Sequence, residues 1–166
     1  MSLISDSPPD PIDVYTKLLE RYTSDPIHIR SFSSELIKAY TAAGRYYHTL
    51  QHLQQMLNVL EPVKAQFSDY DTLLFALFYH DIVYRVTRKD NEEKSAALAR
   101  ERLSALAYPP AGIERCRQMI LATKGHTASA DPDIDLFTDA DLSILGSSPA
   151  QYRTYAAQVR REYGIY

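Results

Sequence analysis

Leu73-Leu74-Phe75-Ala76-Leu77-Phe78-Tyr79-His80-Asp81-Ile82-Val83-Tyr84 is the stretch from which the rest of the chain is read. It is apolar on nearly every side, and a helix that is apolar all round is a buried helix. The pattern predicts such a helix from about Asp71 to Tyr84. A His-Asp pair nevertheless sits inside it. A buried carboxylate is very costly unless it is paired or binds metal. His80 and Asp81 therefore require partners from elsewhere in the sequence. A core histidine bonded to backbone and a buried salt bridge are the purely structural alternatives.

Outward from this run the chain reads as successive helices. Val14, Leu18, Leu19 and Tyr22 recur at helical spacing, as do Phe32, Leu36, Ile37 and Tyr40, with Gly44 as a stop. A third helix is predicted from near Tyr46, with a stripe of Tyr46, Leu50, Leu53, Leu57 and Leu60 halted by Pro62. Beyond Tyr84 a charged loop, Arg85 to Asp90, leads to a helix from Asn91 to Ala107, broken by Pro109-Pro110. Ile113, Cys116, Ile120 and Thr123 mark the next, ended near Gly125. Residues 126–138 read as a polar, Asp-rich loop, and Asp133–Phe137 is the one stretch that tempts a strand assignment. A short helix through Leu142 and Leu145 follows, ending at Gly146. Ser148-Pro149-Ala150-Gln151 is a capping box that opens a last amphipathic helix carrying Tyr152, Tyr155, Ala156 and Val159. No segment alternates with period two for long. The expected fold is all-α, one helical domain over residues 11–166 preceded by a tail over residues 1–10.

The bulk numbers agree. A chain of 166 residues, 45% hydrophobic and 23% charged, suits one domain with a proper core. Its net charge of -3 and lack of a Lys/Arg block argue against an extended nucleic-acid surface. Cys116 is the single cysteine, so neither an intramolecular disulfide nor a cysteine zinc site can form. There is no signal-like N-terminus, and no apolar run approaches the ~20 residues a bilayer requires. A cytoplasmic protein with no membrane association is expected.

The chemistry-bearing residues come next. His48 and His52, two of five histidines, lie four apart and would share one face of the predicted third helix, away from the leucine stripe. That face is either solvated or turned to a polar interior. Asp139 reads as a helix N-cap and Asp141 as a first-turn carboxylate favoured by the helix dipole. Asp90 and Glu93 have the spacing of a capping box, while Glu92 and Glu93 are also candidates for proton donor or base. His126 closes a helix, as a favourable terminal charge, a substrate-phosphate contact or a ligand of a second metal. Lys124, Arg45, Arg85, Arg88 and Lys89 are candidates to neutralise phosphate or are solvated surface. Asp131, Asp133 and Asp135 mimic the start of an EF-hand, but Leu136 and Leu142 occupy its glycine and glutamate positions, which excludes it. No His-Glu-x-x-His motif, Glu-x-x-His pair or glycine-rich phosphate loop occurs.

Four blocks in order carry a resemblance: Tyr47-His48-Thr49-Leu50-Gln51-His52-Leu53, Phe78-Tyr79-His80-Asp81-Ile82-Val83-Tyr84, Asp90-Asn91-Glu92-Glu93-Lys94-Ser95-Ala96, and Asp139-Ala140-Asp141-Leu142-Ser143-Ile144-Leu145-Gly146. Over roughly residues 45–163 the chain resembles the HD-domain superfamily of metal-dependent phosphohydrolases, and within it the small single-domain predicted hydrolases. The resemblance implies His52, His80, Asp81 and Asp141 as ligands of a divalent metal ion. It implies Asp81 as water orienter and leaves His48 as a neighbour that orients a ligand, contacts substrate or joins a second metal. His48, His126, Lys124 and Arg45 would face the substrate, with Glu92 or Glu93 in proton transfer. Two imidazoles and two carboxylates suit Mn, Fe, Co, Ni or Mg rather than a closed zinc site. The implied activity is hydrolysis of a phosphate ester or anhydride in a nucleotide or other small phosphorylated metabolite, through a metal-bound water. Two rivals stand beside it: a metal-containing helical module that binds or senses a phosphorylated ligand without turnover, and a plain interaction domain with no metal. Members of the group often continue as helix past the Arg160–Tyr163 region. That difference, with tyrosine-rich apolar helix faces near the end of this chain, fits a homodimer.

Overall fold

The computed structural model describes residues 9–164, and among these every regular element is helical. Eight α-helices follow in order: α1 Pro11–Glu20, α2 Pro26–Tyr40, α3 Leu50–Leu60, α4 Tyr70–Tyr79, α5 Asn91–Ala105, α6 Pro110–Ala122, α7 Pro132–Asp141 and α8 Pro149–Glu162. Short 3-10 turns at Glu61–Gln66 and Ser143–Gly146 follow α3 and α7. Most of the tail expected over residues 1–10 lies outside the described residues; Asp10 instead caps α1.

One local rule starts half of the helices. Asp10-Pro11, Asp25-Pro26, Asp131-Pro132 and Ser148-Pro149 each place a capping side chain before a proline at the first helical position. The cap oxygen satisfies an orphan N–H, and the proline supplies a preset φ without wasting a donor. The predicted box at Ser148 forms in full, with Gln151 reaching back. The one expected at Asp90 does not form.

Helix α4 is the axis of the core. Thr72 to Tyr79 are all buried, and α1, α3, α5 and α6 pack around them. Each fully buried Leu or Phe there contributes about 1.5–3 kcal/mol from desolvation alone. Polar atoms in this layer are paired: Tyr15 and Tyr79 share a hydroxyl hydrogen bond of 2.7 Å, and Thr72 and Tyr108 one of 2.8 Å. Cys116, fully buried on α6, is core as expected.

Three expectations are corrected. The third helix begins at Leu50 instead of near Tyr46, so His48 precedes it. The buried helix stops at Tyr79, not Tyr84, and His80 is its C-cap. The Asp-rich stretch is not a loop to residue 138, nor Asp133–Phe137 a strand: α7 runs through it, capped by Asp131. Asp139 is therefore an exposed residue inside α7 and not an N-cap, and Asp141 ends that helix instead of opening the next. Arg115 explains the acidic start. Its guanidinium bridges Asp131 at 2.9 Å and Asp133 at 2.8 Å, which frees Ile134, Phe137 and Ala140 to pack inward.

Candidate metal centre

The termination of α4 creates the site. Past His80 the backbone would lose its intrahelical partners, and side chains from distant segments replace them. Arg45 donates to the carbonyls of His48 (3.1 Å), Asp81 (2.8 Å) and Ile82 (2.9 Å). Ser95 accepts from Val83 N–H at 3.1 Å, and Asn91 accepts from Arg85 N–H and donates to its carbonyl at 3.1 and 2.9 Å. Adjacent residues held in a helix would point about 100° apart. Here the turn after α4 folds the Asp81 carboxylate back until Oδ2 lies 3.1 Å from His80 Nε2.

His52, in the first turn of α3, meets this pair. Its Nε2 is 3.2 Å from His80 Nε2 and 3.9 Å from Asp81 Oδ2, and both imidazoles are fully buried. His52, His80 and Asp81 each offer one ligand atom, all within 4.8 Å of one another, a grouping that could hold a metal ion. Asp141, arriving at the end of α7, places Oδ1 3.1 Å from His52 Nε2 and 3.6 Å from His80 Nε2. Its other oxygen accepts a hydrogen bond from His126 Nε2 at 2.8 Å. His126 reaches it from a left-handed backbone, φ 45°, a conformation a histidine adopts at a cost.

The protonation chemistry fits a cation site. His80 Nδ1 faces the Leu77 carbonyl at 2.8 Å, so it must carry a hydrogen and donate. In the neutral ring that leaves the Nε2 lone pair directed into the cluster, as a metal ligand requires. Burial would push the His80 imidazolium down, but the Asp81 and Asp141 carboxylates outweigh it and hold it well above its usual range. Burial would likewise raise both carboxyls. His80 holds Asp81 below the usual carboxylate range, and His126, His52 and His80 do the same for Asp141. Two half-buried carboxylates thus converge on two buried imidazole nitrogens that nothing but a proton or a cation can reconcile at 3.2 Å.

The other sequence candidates divide. His48 lies beside the cluster, with Nε2 3.8 Å from Asp81 Oδ2. Arg45 is committed to three backbone carbonyls and lies between the rings of Tyr40 and Tyr84, 4.9 and 5.5 Å from their centroids. Lys124 pairs with Glu93 and donates to the Lys89 carbonyl, on the exposed surface. Among the described residues, no hydrogen bond or ion pair joins Glu92, Glu93 or Lys124 to the cluster. Arg88 pairs with Asp90.

Glu162 was not anticipated. It lies in the run Arg160-Arg161-Glu162, which reads as solvated helix surface, yet its side chain is 0% exposed. Oε1 accepts from the backbone N–H groups of Tyr46, Tyr47 and His48 at 2.6, 2.7 and 3.0 Å, and Oε2 meets His48 Nδ1 at 2.7 Å. No sequence signal marks it, because its partners lie more than a hundred residues away.

No protein-family model matches the chain, and no curated protein or solved structure is significantly similar to it. Among the described residues, no helix is long and apolar enough to cross a membrane.

Proposed function

We propose that the protein is a metal-dependent phosphohydrolase of the HD type, with His52, His80, Asp81 and Asp141 as its ligands and a nucleotide or other small phosphorylated metabolite as its substrate. The observation that carries this reading is the convergence of four side chains from the start of α3, the end of α4 and the end of α7 around one point. It is the order and set that the resemblance to HD domains implies. A divalent cation held there supplies Lewis-acid polarisation of a phosphoryl oxygen and lowers the pKa of water towards about 7.

This chain's residues do the rest. With a cation bound, His52 and His80 would each offer an Nε2 lone pair, and the carboxylates of Asp81 and Asp141 would offset the ion's charge. His126 fixes the Asp141 carboxylate through its second oxygen, and Arg45 fixes the Asp81 backbone. Asp81 would orient the attacking water as well as bind, a role that the roughly 15% exposure of its side chain supports.

Elemental analysis of the purified protein, then phosphate release from a panel of nucleotides and sugar phosphates with Mn²⁺ and with chelator, tests the reading. Bound metal with chelator-sensitive release is expected, and Asp81→Ala should lose both. An Asp81→Ala protein that turns over as fast as the wild type overturns the mechanism. Stoichiometric metal with no turnover of any substrate would favour a metal-containing binding module.

A further inference from the structure

His48 is held on every side but one. Tyr84 stacks on its face at 4.0 Å between centroids with an interplanar angle of 28°, and the Tyr47 ring meets it edge-on at 5.0 Å. Its backbone N–H and its Nδ1 are both bonded to Glu162. Nε2 alone has no hydrogen-bond partner among the described residues, and it faces Asp81 Oδ2 across 3.8 Å.

Glu162 decides what that nitrogen can do. Oε1 already accepts three N–H groups, and an ionised carboxylate has no hydrogen to give. Nδ1 must therefore be the donor at 2.7 Å, which in the neutral ring leaves a lone pair on Nε2. In that neutral ring a lone pair and a carboxylate oxygen face each other with no hydrogen between them. A separation of 3.8 Å is too long for a direct bond and fits one bridging molecule that donates to both. The last helix is built around this contact: Glu162 is the buried residue of α8.

We infer that Glu162 is a positioning residue of the metal centre: it fixes the tautomer and ring plane of His48 so that Nε2 and Asp81 Oδ2 together orient one O–H donor, the water destined to attack phosphorus. The inference rests on the activity proposed above, and it assigns His48 to water orientation, leaving metal ligation to the other four side chains.

Glu162→Gln is the discriminating change. The glutamine oxygen can still accept the three backbone N–H groups, while its NH₂ must donate to Nδ1. The histidine proton is thereby forced onto Nε2, where it blocks the acceptor. Two-bond ¹H–¹⁵N correlation spectra of histidine-labelled protein in chelator, assigned with His48→Gln, should show His48 protonated at Nδ1 in the wild type and at Nε2 in Glu162→Gln. With Mn²⁺ present, kcat should fall about 10–100-fold while KM and ion affinity stay near wild type. A wild-type proton on Nε2 overturns the inference, as does a switched tautomer with undiminished kcat. Should Glu162→Gln fail to fold, the wild-type spectrum and the kcat of His48→Gln decide in its place, an undiminished kcat again overturning it. If the wild type releases no phosphate, the proposed activity fails and the water-orienting role fails with it. The imidazole spectra then judge the Glu162–His48 arrangement separately.

Discussion

Nε2 of His52, in the first turn of α3, lies 3.1 Å from Oδ1 of Asp141, the last residue of α7. Eighty-nine positions along the sequence separate this imidazole from the carboxylate it meets. Asp139, two residues earlier on the same helix, is exposed. Replacing each by alanine should therefore give opposite results. A ligand present at 100 times its Kd adds about 2.7 kcal/mol to stability, roughly 5–10 °C in Tm for a chain of this size. Thermal unfolding with and without Mn²⁺ should show such a rise for the wild type and for Asp139→Ala, and none for Asp141→Ala or His52→Ala.

Acid should destabilise the protein through Glu162 as well as through the ligands. Burial would raise this carboxyl, but the His48 imidazole and the backbone N–H groups of His48 and Tyr46 hold its pKa down at about 2. The unfolded value is about 4.3. A pKa depressed by folding contributes stability in full above the unfolded value and loses it as pH falls towards the folded one. Chemical denaturation of the metal-free wild type should accordingly weaken from about pH 5 down to pH 2, and the slope should be shallower in Glu162→Gln.

How far the sequence carried this picture depends on whether a residue's partners are near it in the chain. The all-α class, the buried α4 and the Ser148 capping box follow from periodicity and from signals three or four residues apart, and those were legible. So was the need of His80 and Asp81 for company, because desolvation cost can be read from their apolar neighbours alone. The end of α4 was not legible. It depends on Arg45, thirty-six residues before Asp81, supplying hydrogen bonds that the helix would otherwise have made. Helix α7 was hidden for the same reason: Asp131 and Asp133 look like loop until Arg115 neutralises them. Glu162 is the extreme case, a charge in a charged run, buried by backbone N–H groups more than a hundred residues earlier in the chain.

Arg45 should prove a scaffold residue whose loss disturbs the metal centre indirectly. Lysine cannot reproduce a planar fork that bonds three carbonyls. Arg45→Lys should lower stability by about 2 kcal/mol as those acceptors lose their partner. It should also weaken Mn²⁺ binding, because Asp81 is held through its own carbonyl. Urea denaturation and metal titration measure the two effects. Unchanged metal affinity in a destabilised protein would separate Arg45 from the site.

Among the described residues two non-glycines adopt positive φ, Ala107 at 53° and His126 at 45°, and they should answer differently to glycine. Ala107 follows α5 in a Schellman turn, with Tyr108 N–H donating to Leu103 carbonyl at 3.0 Å and Ala107 N–H to Ser104 carbonyl at 3.0 Å. Nothing in that turn uses its methyl group for conformation, and the left-handed backbone costs an L-residue about 1–2 kcal/mol. Ala107→Gly should therefore raise the midpoint of thermal unfolding, by less than that strain because glycine also loosens the unfolded chain. At His126 the same backbone strain aims an imidazole at Asp141. Such strain persists where the surrounding structure has a use for it. His126→Gly should bring no gain in Tm. With Oδ2 of Asp141 left without its donor, divalent-ion affinity should fall about 10–100-fold, read by titration with Mn²⁺. A His126→Gly protein that is more stable and binds the ion as tightly as wild type would show that the strained backbone serves the turn alone.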